Sequence, residues 1–182
     1  MTVFFDENQN LKFSFMDGQD VLQYDSSCFY REKIEKHISG IDAIDFLCID
    51  TNLKCSFLIE VKDFSELSPD KAKEHKEKQS AEDLAVEISR KTFDTIAGLF
   101  IASFSPQCND KEKNFAKRFL EYPMHIIFHY ELPQKWQQDL KRGRMADMKQ
   151  RLKRKLQIVD SQLRVENLST TKYWTVSRKN VQ

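Results

Sequence analysis

Apolar residues recur along this chain with two different periods, and the changes between them divide it into elements. Residues 2–24 carry short apolar patches, Val3–Phe5 and Leu11–Met16, broken by polar residues and by Asp17-Gly18. They predict small strands or a hairpin. In 29–39, FYREKIEKHIS, residues Tyr30, Ile34 and Ile38 share one helix face, and Gly40 follows as a stop. Two apolar runs of strand length, 43–50 and 55–62, flank Asp50-Thr51-Asn52-Leu53-Lys54, which suits a hairpin turn. Nearly every position in both runs is apolar, so both faces of each strand are predicted to be buried, as in the centre of an α/β sheet.

Residues 63–80 are almost wholly polar and read as a loop or a solvated helix. Residues 80–100 predict a helix that is apolar on much of its circumference, with Leu84, Ala85, Ile88, Phe93, Ile96, Ala97 and Phe100. Its polar stripe is Glu87, Lys91 and Asp94, with Arg90 beside it. The pattern leaves open whether 99–104 continues this helix or starts a strand. A helix over 111–121 and a strand over 124–130, closed by Pro133, follow. Residues 134–158 form a long helical pattern with one weak point, Gly143, and an apolar stripe of Met145, Met148, Leu152, Leu156 and Val159. Tyr173–Val176 reads as an edge strand.

Composition narrows the class. The 182 residues suit one domain, and with 40% hydrophobic and 31% charged residues they can bury a core without disulfides. Four glycines and four prolines exclude collagen-like and Pro/Gly-rich disordered chains. No apolar run approaches the roughly 18 residues of a membrane span. The opening MTVFFDENQN lacks the basic and apolar regions of a secretory signal, so a cytoplasmic location and no membrane partner are expected. Cys28, Cys48, Cys55 and Cys108 show no metal-ligand spacing and read as free thiols.

Charge is unevenly spread. Residues 1–62 hold 6 Lys/Arg against 11 Asp/Glu, residues 63–131 hold 10 against 13, and residues 132–182 hold 13 against 4. The excess gathers in KRGRMADMKQRLKRK, 141–155, with eight Lys/Arg against Asp147 alone. Arg142, Arg144, Lys149, Arg151, Lys153, Arg154 and Lys155 could follow a phosphate backbone. A solvated helix face, or a helix that packs on a partner, is the plain alternative. The division expected is a core over 1–133 and a basic helix with a C-terminal segment, 134–182, packed on the same domain.

The chemistry concentrates in the predicted hairpin. Asp45 interrupts the first apolar run, and Glu60 and Lys62 end the second, sharing a face because strand side chains alternate. Pairing would bring Asp45 beside Glu60. Two close carboxylates repel unless a cation joins them, and oxygen ligands select a hard divalent ion, Mg²⁺ or Mn²⁺. The Val61 carbonyl is a natural third ligand, and Lys62 could position water or stabilise charge on phosphorus. Asp42 is a rival for the metal aspartate, but Asp45 is better embedded in its strand. The plain alternative is a buried ion pair of Asp45 or Glu60 with Lys62.

Asp45, fourteen intervening residues, then Glu60-Val61-Lys62 at a strand end resembles the PD-(D/E)XK nuclease superfamily, the restriction-endonuclease-like phosphodiesterases. The resemblance covers about residues 29–130, and Ile44 stands where the family often has proline. It implies an α/β fold of three layers, α/β/α, around a mixed central sheet, with the basic helix as an extension. It also implies an acid on the preceding helix, best matched by Glu35, and a basic residue on the following helix, matched by Lys91 with Arg90 as substitute. The implied activity is Mg²⁺- or Mn²⁺-dependent hydrolysis of nucleic-acid phosphodiesters, DNA above all; a homodimer, which would let so small a nuclease cut both strands, or a partner protein is left open. A non-catalytic nucleic-acid-binding or assembly module on the same fold is the alternative. His125 and His129 share a strand face and read as packed or hydrogen-bonded, and no phosphate-binding glycine loop is present.

Overall fold

The computed structural model describes residues 1–6, 9–66 and 80–179. Most of the polar stretch 63–80 lies outside them. The elements run β1 (Thr2–Phe5), β2 (Leu11–Phe15), β3 (Gln19–Gln23), α1 (Tyr30–Glu35), β4 (Phe46–Asp50), β5 (Cys55–Asp63), α2 (Ala81–Phe104), α3 (Asp110–Glu121), β6 (Met124–Glu131), α4 (Gln138–Leu156), β7 (Arg164–Glu166) and β8 (Thr175–Arg178). The short α1 is wound wider than an α-helix, and positive-φ Gly40 follows it. The helix α2 runs through 99–104, which the sequence left open.

Five strands form a mixed sheet in the order β3-β4-β5-β6-β7. The first three are antiparallel, and β5, β6 and β7 are parallel, with α2 and α3 making the crossover from β5 to β6. The hairpin turns where the sequence placed it. Asp50 accepts the Asn52 and Leu53 N–H groups at 3.0 and 2.8 Å. Both hairpin strands are buried on both faces over most of their length.

Alternation then assigns each side chain to a layer. Leu47, Ile49, Leu58, Ile126 and Phe128 face a core shared with all four helices. Phe46, Cys48, Phe57, Ile59 and Ile127 face a second core, closed by Leu11, Phe13, Phe15, Trp174 and Val176. Those five residues come from a three-stranded antiparallel sheet, β1-β2-β8, or from just before β8. The α/β/α layering expected above is therefore corrected. The layers are helices, mixed sheet and small sheet, and among the described residues no helix residue enters the second core. The physical reason lies in β2. Its Leu11, Phe13 and Phe15 alternate with partly exposed Lys12 and Ser14, and such a one-sided strand covers a sheet face without needing a helix. The basic helix α4 is not an extension beyond the core. Met148, Leu152 and Leu156 bury in the helical core, β7 adds to the mixed sheet, and β8 adds to the small one.

Capping fixes the helix starts. Ser80 and Asp83 form a reciprocal capping box on α2, and Asn109 caps α3 by accepting the Glu112 N–H at 2.9 Å. The Glu112 carboxylate in turn accepts the N–H groups of Cys28 and Phe29, both at 2.9 Å, which anchors the entry to α1. Gly98 lets α2 approach the end of β3: a β-carbon there would overlap the Tyr24 hydroxyl and meet Ile34 at 3.0 Å. Gly98→Ala should therefore lower stability by about 1–3 kcal/mol through overpacking, although helix propensity alone would raise it by about 1 kcal/mol. Tyr24→Phe removes a buried hydroxyl that has no partner and should restore part of the loss in the double variant. Urea unfolding of the two single variants and the double variant measures both effects.

Candidate functional site

The β4–β5 register, Phe46 opposite Ile59, carries Asp45 to the position across from Glu60. There the β4 strand has ended, and the Asp45 carboxylate takes over the edge of β5. Its Oδ2 accepts the Val61 N–H at 2.6 Å. The N–H and C=O of one strand residue project to the same side, so the Val61 carbonyl shares this edge.

Glu60 lies under α2 and is 1% exposed. Its Oε1 accepts Lys91 Nζ at 2.8 Å and lies 3.3 Å from Lys62 Nζ. Lys62 also reaches Glu87 at 3.1 Å. Glu60 Oε2 is buried with no partner. The polar stripe of α2 is thus not a ladder along its own helix. Glu87 and Lys91 serve the end of β5. Asp94 accepts the Asp42 N–H at 3.1 Å, Thr95 accepts the Ile44 N–H at 3.0 Å, and Arg90 pairs with Asp42. Together these bonds fix the segment that delivers Asp45. Asp42, held by Arg90, is not the acid beside Glu60.

The electrostatics follow from burial and like charge. Burial, then the Glu60 carboxylate, push Asp45 well above the usual carboxylate range, against the pull of Lys91 and the Val61 N–H. Burial also pushes Glu60 up, and Lys91 and Lys62 work against it. Burial would lower Lys62, but Glu60 and Glu87 outweigh it and hold the ammonium above its usual value. The group is short of positive charge at Asp45 and has a spare oxygen at Glu60. Among the described residues no three His, Cys, Asp or Glu side chains stand close enough to enclose an ion. The donor chemistry still fits a hard divalent cation: two carboxylates in mutual repulsion, an adjacent carbonyl and an unsatisfied carboxylate oxygen.

One acid of this neighbourhood was missed in the sequence. Asp25, in the turn after β3, raises the pKa of Asp45 and is itself raised by burial, against Arg31 and Lys91. One of its oxygens is buried without a partner. Asp25 follows Tyr24 in a polar turn, and no pattern marks it. Glu35, the acid expected here, instead lies exposed and accepts both bonds from Arg31 at 2.8 Å.

The basic positions divide. Arg151 pairs with Asp147 and with Glu82 at the start of α2, and Lys155 also reaches Glu82, at 2.7 Å. These two fasten α4 to α2. Arg144 is half-buried, with Nε lacking a partner. Arg142, Lys149, Lys153 and Arg154 are exposed, and Arg142 lies 3.7 Å from Asp139. The histidines sit on the opposite face of the sheet. His129 is fully buried, 3.1 Å from Glu131, and His125 lies 3.6 Å from Asp160. The four cysteines are free thiols. Among the described residues no helix is long and apolar enough to cross a membrane.

The two acids should respond in the same direction to neutral isosteres, Asp45 the more strongly. An acid whose pKa is raised on folding costs stability as pH climbs from about 4 towards neutrality, because the folded state holds the proton longer. Asp45→Asn should accordingly raise Tm by a few degrees at pH 7.5, with the gain shrinking towards pH 4. Glu60→Gln should shift Tm in the same direction by less, since Lys91 and Lys62 oppose the burial that raises Glu60 and the variant leaves Lys91 without its carboxylate, while Lys62 keeps Glu87. Thermal melts of both variants across pH 4–8 read out the difference. No family model, curated protein or solved structure matches this chain.

Proposed function

We propose that this chain is a divalent-metal-dependent nuclease of the PD-(D/E)XK kind, hydrolysing nucleic-acid phosphodiester bonds, with DNA as the expected substrate. One observation carries the reading: Asp45, Glu60, Lys62 and Lys91, from the β4 entry, β5 and α2, converge on the end of one buried strand. A fold that needed only a core would have apolar residues there, since burying these charges costs more than it returns.

In this reading Asp45, Glu60 and the Val61 carbonyl hold Mg²⁺ or Mn²⁺. When bound, the ion polarises a phosphoryl oxygen and acidifies a water. Lys91 keeps Glu60 ionised through Oε1 and leaves Oε2 for the cation. Lys62, two residues beyond Glu60, presents positive charge where a phosphate under attack gathers negative charge. Glu87 holds the Lys62 ammonium in place. Exposed Arg142, Lys149 and Arg154 on α4 supply sequence-independent affinity for phosphates. Arg151 and Lys155 contribute by holding α4 in place.

A second reading, a non-catalytic nucleic-acid-binding or assembly module, has one observation in its favour: Lys91 and Lys62 already balance Glu60 within the protein. Incubation of plasmid and single-stranded DNA with Mg²⁺ or Mn²⁺ separates the two. The nuclease reading expects cleavage that falls by about 100-fold or more in Lys62→Ala, in line with the loss of one transition-state contact. Calorimetry should show metal binding kept in Lys62→Ala and lost in Asp45→Ala. Salt-sensitive DNA binding without cleavage, unchanged in Asp45→Ala, would sink the nuclease reading and leave the binding module.

A further inference from the structure

All the exposed residues of α2 but Ile101 form one stripe: Asp83, Val86, Arg90, Phe93, Ala97, Phe100 and Phe104. Their spacing alternates three and four, which is the seam of a coiled coil. A lone surface helix puts charge on such a stripe. Here Val86, Phe93, Phe100, Ile101 and Phe104 are between 45% and 70% exposed. No charged residue occurs from Thr95 to Phe104. The Phe100 and Phe104 rings meet edge-on, 5.1 Å apart. The opposite face of α2 is buried in the helical core, so this stripe is a second apolar face. Contiguous exposed apolar surface of this kind marks a contact site.

We propose that the stripe is the seat of a two-fold dimer, in which a second copy lays its own α2 antiparallel along the first. The spacing of the apolar positions argues for self-association. Positions 93, 97, 100 and 104 are separated by four, three and four, and so read the same from either end. An antiparallel copy sets Phe93 opposite Phe104 and Ala97 opposite Phe100, small against large, at both ends of one symmetric contact. The area is that of a small contact: at 150–250 Å² per large aromatic, the exposed parts of Phe93, Phe100 and Phe104 sum to roughly 500–900 Å² over two copies, the size of a weak, reversible association. Charge permits it, since the chain carries a net +1 and Arg90, on the stripe, is already paired with Asp42. The chain's own segment 67–79 offers only Leu67 and Ala72 as hydrophobic residues, too little to cover three phenylalanines. The inference stands apart from the nuclease reading.

Sedimentation velocity of the full chain over roughly 1–100 µM, the affinity range of an interface this small, tests it. The wild type should reach twice the 21.6 kDa chain mass. Phe100→Glu/Phe104→Glu should stay monomeric with an unchanged far-ultraviolet circular dichroism spectrum. Leu140→Glu, at an exposed apolar position on α4, should dimerise as the wild type does. In a Cys28→Ser background, oxidation should cross-link Ala97→Cys/Phe100→Cys and neither single variant. A wild type monomeric throughout, a dimer indifferent to the two glutamates, or cross-linking of the single variants would each overturn the proposed arrangement.

Discussion

A carboxylate cannot be taken out of water and left alone, and Glu60 is the place where this protein meets that constraint. It sits inside the seam between a strand and a helix, where a leucine would cost nothing. Its ionisation requires Lys91 from above and Lys62 from the same strand. Lys91 can reach only if α2 crosses β5 at one height. That height also lets Asp94 and Thr95 take the N–H groups of Asp42 and Ile44. Those bonds stretch the chain into β4 and bring Asp45 to the Val61 N–H. The helical layer is thereby set in register over the sheet by polar contacts, while Leu58, Ile88 and their neighbours supply the less directional attraction.

The same strands carry a second polar group on their other face, and the comparison is instructive. His129 and Glu131 sit between the two sheets. Burial would raise the Glu131 pKa, but His129, the Leu168 N–H and Arg178 outweigh it, and Glu131 ends below the usual carboxylate range. That cluster favours the charged form of Glu131, with Arg178 reaching it from the small sheet at 3.6 Å. Asp45 and Glu60, on the helical side at the end of β5, end above their usual range. The two groups therefore differ in the direction of their shift, because Glu131 gains more from its partners than burial costs it and Asp45 and Glu60 do not.

Much of the hairpin could be read from residue order. Asp45 and the Glu60-Val61-Lys62 triplet stood out because charge inside an apolar strand is rare, and Lys91 lay on a polar stripe at helical spacing. Other features had no such mark. Asp25 is one more acid in a polar turn, and it joins the site only because Gly98 admits Tyr24 beside α2. Apolar residues on both faces of β4 and β5 said that both were covered, not by what. The cover on one side proved to be a small sheet drawn from two short, weakly patterned stretches near either end of the chain. Phe93, Ala97 and Phe100 read only as part of a helix apolar on much of its circumference, because periodicity counts apolar faces without saying which is occupied; in the structure they face outward.

That small sheet also dictates an order of events. Leu11 pairs with Arg178 across nearly the whole chain, whereas β4, β5 and the α2–α3 crossover close over short separations. Loop-closure entropy favours the local contacts first. The helical side, with Glu60 and its lysines, can be assembled while the aromatic floor of the mixed sheet is still open to water. Only when β8 arrives beside β2 are Phe13, Phe46 and Phe57 sealed. During synthesis on a ribosome, the open floor is the surface that a chaperone would have to shield.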